Sequence, residues 1–235
     1  MDYVSVEEGE EGVVVLSVDR PPANAMSLEL LREVVEGVAL AAGEAPRALV
    51  LAGRPGCFSA GADLKAVPTY APAQQREMVA QINAMALGAY ELEFPVVGAI
   101  TGHAIAGGLV LALCSDIRVA SSAGRYGLTE VQVGVPYPQA AIGVVRAELT
   151  PQAARVLALG SELTDAAECE RLGVFDEVHD AEDVLPRALH IAARLAKLPP
   201  EVYARTKRDL RGPALAQMRA TVEQDPLLDA WVVAD

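Results

Sequence analysis

Residues 95–120 read PVVGAITGHAIAGGLVLALCSDIRVA. The opening VVGAI, 96–100, is β-branched and apolar and predicts a buried strand. It empties into small residues, then into an apolar run at helical spacing whose amino end is built around Gly107 and Gly108. Because that run is apolar nearly all round, it predicts a helix buried in the middle of the domain. IRVA, 117–120, predicts a short strand directly after it. A strand, a buried helix and another strand in so short a stretch argue for layered α/β packing.

The same alternation extends upstream. VVVLSV at 13–18 and ALVLAG at 48–53 predict two further strands. RPPANA at 20–25 predicts a loop, since two prolines cannot continue a sheet ladder. Ser27 is placed to cap a helix whose apolar positions Leu28, Leu31, Val34, Val35 and Val38 recur at helical spacing, with Gly43 ending it. RPGCFSAGAD at 54–63 is dense in small residues just after a strand, where backbone is free to face a ligand. A long helix is predicted over 73–92, stopped by Pro95. Downstream, YGLTEVQVGVPYP at 126–138 predicts loop and turn, and a helix follows over 138–148. Pro151 suits a first helical turn. Further helices are expected near 165–171, 182–198, 200–211 and 213–230. Strands concentrate before residue 120 and helices after 150, so the pattern is an α/β domain with a helical tail. Pro199-Pro200 reads as a break between packed helices, because the tail is too short for a core of its own. The expected division is a core over 1–198 and a C-terminal helical region over 199–235 packed upon it.

Composition narrows the function. The chain has 235 residues, 52% hydrophobic and 22% charged, ample for a folded core. Nineteen Lys and Arg against 32 Asp and Glu leave a net charge of −13, which repels a phosphate backbone. With no basic stripe interleaved with aromatics, nucleic acid is not an expected partner. Cys57, Cys114 and Cys169 fit neither a disulfide framework nor a CxxC zinc site, and an odd count suits a reducing compartment. The opening Met-Asp-Tyr lacks a basic and an apolar leader region, and no apolar run reaches membrane-spanning length. The expectation is a cytoplasmic protein, with no membrane partner. Three histidines, at 103, 179 and 190, make a metal site an unsupported reading, and none is expected.

Two glycine-rich turns carry the chemistry. SAGAD at 59–63 and AGG at 106–108 both follow strands and both expose backbone. If they converge, the amides of Ala62 and Gly107 point at one oxygen, an arrangement that stabilises negative charge developing on a carbonyl. The helix starting near Gly108 would add its positive end. An AGG triplet equally serves tight helix–strand packing, and SAGAD an ordinary turn. GxGxxG, GxxxxGK[ST] and GxSxG are all absent.

Taken together, RPPANAM at 20–26, GCFSAGADL at 56–64, residues 95–120 and YGLTEVQVGVPYP at 126–138 resemble the crotonase superfamily, the enoyl-CoA hydratase/isomerase family. They occur in family order, and PPEVYARTKRDLRG at 199–212 resembles its late helices. The resemblance implies a spiral of ββα units followed by a helical C-terminal region that packs on the core and on neighbouring subunits of a homotrimer or dimer of trimers. It implies an acyl-CoA thioester as ligand, its carbonyl held between the amides of Ala62 and Gly107. It places coenzyme A along Ala23, Ala25, Ala60, Asp63 and Leu64, as part of the substrate and not as a cofactor. Arg20, Lys65, Lys207 and Arg208 are the cations considered for its phosphates.

Hydratases of this family flank the substrate with two glutamates. Here the first position falls on Val110 and the second on Glu130. Water addition to a conjugated double bond divides its proton transfers naturally between two carboxylates. One carboxylate suffices to move a proton from the α- to the γ-carbon of a 3-enoyl thioester, the single-glutamate pattern of Δ3-Δ2-enoyl-CoA isomerases. The expected activity is therefore isomerisation, with hydration and non-catalytic acyl-CoA binding as alternatives. His103 is expected to pack or hydrogen-bond, Asp63 to hold its own turn amides, and Asp116 to be structural. Tyr126 and Tyr137 are each expected either to line the acyl pocket or to pack. Cys57 lacks a cation that would make it a nucleophile. Thr101, where Asn is common, AGG in place of three glycines, and GVPYPQAA are departures from the family pattern.

Overall fold

The computed structural model describes residues 1–229 and Trp231. Nine strands are found among them: β1 Val4–Glu8, β2 Val13–Val18, β3 Ala48–Ala52, β4 Gly56–Ser59, β5 Val96–Ile100, β6 Gly102–Ile105, β7 Ile117–Ser121, β8 Tyr126–Gly127 and β9 Glu177–His179. The helices are α1 Leu28–Glu44, α2 Pro72–Tyr90, α3 Gly107–Leu113, α4 Gln139–Glu148, α5 Pro151–Ala154, α6 Ala166–Arg171, α7 Ala181–Leu195 and α8 Pro200–Val222.

Strands β1-β2-β3-β5-β7-β9 form one sheet, parallel apart from the β1–β2 pair, and β4-β6-β8 form a second, wholly parallel sheet. Successive strands thus leave one sheet for the other before a helix returns the chain: β3-β4-α2, β5-β6-α3, β7-β8-α4. This repeated ββα turn makes the spiral that the sequence led us to expect. The central strands β3 and β5 of the large sheet are buried on both faces, which is why they are continuously apolar. Along β3, Leu49 and Leu51 join the main core, while Val50 and Ala52 face Val184, Ala188 and Ile191 of α7. Helix α3 is buried throughout Gly108–Leu113, as its composition predicts.

Several boundaries differ from the sequence reading. The Ser27 side chain does cap α1, accepting from the Leu30 amide, but the helix runs past Gly43 and ends with Ala45 in the left-handed region. Residues 200–222 form one helix through Pro213, not two; burial of Lys207, Arg211, Leu215 and Met218 along a single face holds it together. The predicted extension toward residue 230 is not formed: α8 ends at Val222 and a short helical turn, Pro226–Leu228, follows, while residues 230 and 232–235 lie outside the described residues. Strands β1, β4, β6, β8 and β9 were not predicted. They are short and rich in Gly, Glu or small residues; β4, β6, β8 and β9 pair with strands well apart in sequence, whereas β1 pairs with β2 in a hairpin.

Helix α8 packs on α4 and α2. Its buried cations converge on Asp116, whose carboxylate accepts from Lys207 Nζ at 2.8 Å, the Tyr203 hydroxyl at 3.0 Å and the Val96 amide at 2.8 Å, with Arg211 Nη2 3.0 Å from its other oxygen. Asp116 is structural, as expected. Lys207, in contrast, is unavailable to a phosphate: it is 6% exposed and committed to Asp116. Arg208 pairs with Glu93 beside the start of β5.

Candidate active site

The two glycine turns sit at the carboxyl ends of β4 and β6, neighbours in the small parallel sheet, the end at which such sheets bind ligands. Their contact is direct. Gly61 has φ +76°, and a Cβ there would lie 2.8 Å from the Ile105 carbonyl and 3.3 Å from the Gly107 nitrogen. A Cβ on Gly108 would lie 2.4 Å from the Ser59 carbonyl. Only glycines allow the turns to approach this closely. Between them Ala106 takes φ 51°, ψ −124°, a conformation costly for any residue with a side chain.

The 20–26 loop orients the first turn. The Met26 amide donates to the Gly61 carbonyl at 2.7 Å, and the Asp63 amide donates to the Met26 carbonyl at 3.0 Å. Those two bonds bracket Ala62, so its own N–H points away from the loop. Neither the Ala62 nor the Gly107 amide has a backbone partner among the described residues. Asn24 anchors the loop from below: fully buried, it donates to the carbonyls of Val18 and Phe58 and accepts from the Arg20 amide.

Ala60, Ala62, Leu64, Gly107, Val110 and Glu130 all line one cavity. Ala23 and Ala25 do not. The Ala23 carbonyl accepts from the Ala60 amide, the Ala25 carbonyl accepts from Arg20, and it is Met26 that reaches the cavity wall. Asp63 accepts from the Lys65 and Ala66 amides and pairs with Arg20 at 3.1 Å, the turn-holding role expected of it.

Glu130 is 8% exposed in walls that are otherwise mostly apolar. Burial pushes its carboxyl up to about 7. The Tyr137 hydroxyl opposes that rise but does not meet hydrogen-bond geometry with it, and both Glu130 Oε2 and the Tyr137 hydroxyl are buried without partners. Both of these polar groups face the same largely apolar cavity. Among the described residues Glu130 is the only carboxylate lining the cavity, and Val110, fully buried, occupies the other expected position.

Sequence reasoning missed a residue that fixes Glu130. Ser161, buried with φ 56°, follows a π-helical turn at Arg155–Leu159. Its hydroxyl donates to the Leu128 carbonyl at 3.2 Å and accepts from the Gln132 amide at 2.9 Å, bracing the Glu130 loop on both sides. No motif announces it; GSELT resembles any loop. Other expected residues lie elsewhere. Tyr126 is buried against Phe175 and donates to the Ser121 carbonyl. His103 Nδ1 accepts from the Arg125 amide. Cys57 is buried, which raises its thiol pKa and suits packing.

Comparison with solved structures places the architecture in the crotonase class. The enzyme titled probable enoyl-CoA hydratase EchA3 from Mycobacterium tuberculosis superposes with a TM-score of 0.88 at 30% identity, covering 94% of each chain. The family model for enoyl-CoA hydratase/isomerase matches residues 8–228, and the chain belongs to that family. Among its relatives is Mycobacterium tuberculosis "Probable enoyl-CoA hydratase EchA17", 35% identical across 87% of this chain and 79% of that one. Human mitochondrial enoyl-CoA delta isomerase 1 is 33% identical across 85% of this chain and 68% of its own length.

Proposed function

We propose that this protein is a Δ3-Δ2-enoyl-CoA isomerase in which Glu130 alone carries the proton. The thioester oxygen of a 3-enoyl-CoA accepts from the Ala62 and Gly107 amides. The Glu130 carboxylate takes a proton from the α-carbon, and the electron pair spreads over the dienolate onto that oxygen. The same Glu130, now a carboxylic acid, returns the proton to the γ-carbon, leaving the double bond conjugated with the thioester. Each amide typically contributes about 3 kcal/mol to stabilising the charged intermediate. Coenzyme A would leave past Leu64, its phosphates near Lys65 and Arg20. The resemblance and the exposed Val202 and Leu210 on α8 favour assembly as a trimer or dimer of trimers, and three buried free cysteines favour the cytoplasm.

The observation carrying this reading is a cavity wall with one carboxylate among the described residues and valine at position 110. A second reading, hydration of a 2-enoyl-CoA, is favoured by the unpartnered Tyr137 hydroxyl beside Glu130, where a water could bridge the two. Absorbance of the conjugated thioester separates them. Isomerisation produces it from a 3-enoyl-CoA; hydration removes it from a 2-enoyl-CoA. Loss from the 2-enoyl substrate without gain from the 3-enoyl substrate would replace the isomerase reading. Tight binding without either change would favour the non-catalytic alternative.

A further inference from the structure

We infer that the site is built for short acyl groups, of about four to six carbons, and that Trp231 sets the limit. This rests on reading the cavity as the acyl site. The cavity measures about 70 Å³. An apolar cavity of about 150 Å³ accommodates benzene, so this one holds roughly three carbons in proportion. With the thioester carbonyl at the two amides, those are the α-, β- and γ-carbons of a butenoyl chain, and only modest yielding admits two more.

Exposure distinguishes mouth from wall. Leu64 is 45% and Val133 36% exposed, whereas Ile82, Val110, Ala141 and Trp231 are all buried. Ile82, Val110 and Ala141 come from α2, α3 and α4, which pack against one another in the main core, so they cannot retreat without disturbing it. Trp231 is different. It shares that core but belongs to no helix, following α8 and the short helical turn Pro226–Leu228. Its segment is nevertheless pinned. Asp225, 2% exposed, accepts from Asn83 Nδ2 of α2 at 2.9 Å and from the Gln139 amide at the start of α4 at 2.8 Å. The turn that leads to Trp231 is therefore fastened at Asp225, independently of the two glycine turns. Longer chains must displace the indole.

The test is a length series of 3-enoyl-CoA substrates with four, six and ten carbons. The wild-type kcat/KM is expected to fall at least tenfold between six and ten carbons. Trp231→Ala should raise the ratio of ten-carbon to four-carbon kcat/KM at least tenfold. A wild-type profile that is flat or rises with length overturns the inference, as does a Trp231→Ala enzyme with unchanged length preference. Trp231→Phe, which retains an aromatic filler, should fall between the two and guards against a loosened C-terminal segment. Calorimetric titration of butyryl-, hexanoyl- and decanoyl-CoA reads the same preference without chemistry. If no 3-enoyl substrate turns over, the isomerase reading fails, and the binding series still decides the length limit.

Discussion

In the proposed mechanism Glu130 combines two demands that oppose each other. A base must be ionised to accept a proton, yet an apolar wall disfavours the ionised form and holds the pKa near 7, against 4.5 for the ordinary carboxyl. Between pH 4.5 and 7 the folded protein therefore binds more protons at this residue than the unfolded chain. The stability it confers is full below about 4.5 and is lost as pH rises through about 7. The loss amounts to about 3 kcal/mol at pH 8. Glu130→Gln is neutral throughout, so it should be more stable than wild type at pH 8 by up to that amount and nearly equal at pH 4.5, as read by urea denaturation at both values. The same variant should lack turnover. In the wild type, kcat/KM should climb through pH 7 as the carboxylate forms. Ser161 supplies the second prediction at this scale. Ser161→Ala deprives the Leu128 carbonyl and Gln132 amide of their partner and frees the loop. The kcat should drop about tenfold with KM little changed, as expected when a reacting group is misplaced rather than binding lost. The acidic midpoint of the pH profile should move down as Glu130 gains water. Ser161→Gly, which suits φ 56° better, should reproduce the kinetic loss with less loss of stability. Glu130 was legible from LTEVQVG because the family motif surrounds it; Ser161 was not, since its role comes from a tertiary contact spanning thirty-odd residues.

The critical element is the turn from β6 into α3. Gly107 and Gly108 could be singled out from sequence as a glycine pair between a strand and an apolar helix, and in the structure a Cβ on Gly108 would lie 2.4 Å from the Ser59 carbonyl. Ala106 gave no such warning, and it carries the strain. Its φ of 51° with ψ −124° belongs to glycine, costing on the order of 1–3 kcal/mol. Ala106→Gly should raise stability by about 1 kcal/mol after the extra freedom of glycine in the unfolded chain is deducted. A rise in denaturation midpoint with unchanged kcat/KM is the expected outcome. Among strands, the central ones of the large sheet were readable because burial on both faces makes them continuously apolar, as in ALVLA and VVGAI. β4 and β6 escaped because GCFS and GHAI carry too little apolar pattern; they pair only once the large sheet sets their neighbours side by side.

Across the whole molecule, α8 is fastened by charge as much as by apolar contact. Asp116 compensates Lys207 and Arg211, both buried. Burial draws the Lys207 ammonium down to about 8, showing how little solvent reaches it. Asp116→Ala should cost about 3–5 kcal/mol because it leaves cations buried without a partner. Thermal denaturation would record the loss. Lys207 was read from sequence as a possible phosphate ligand because composition carries no information on burial, and a lysine on a late helix looks exposed by default. The spiral itself was foreseeable only through the set of motifs in order, since no single one specifies two sheets. The lone-carboxylate mechanism is tested most directly by turnover of a 3-enoyl-CoA deuterated at the α-carbon in ordinary water. One buried acid that takes and returns the same hydron predicts that a substantial share of the deuterium appears at the γ-carbon of the product, and none with Glu130→Gln. Conjugated product free of deuterium at the γ-carbon would contradict the account, because a second group would then be delivering the proton.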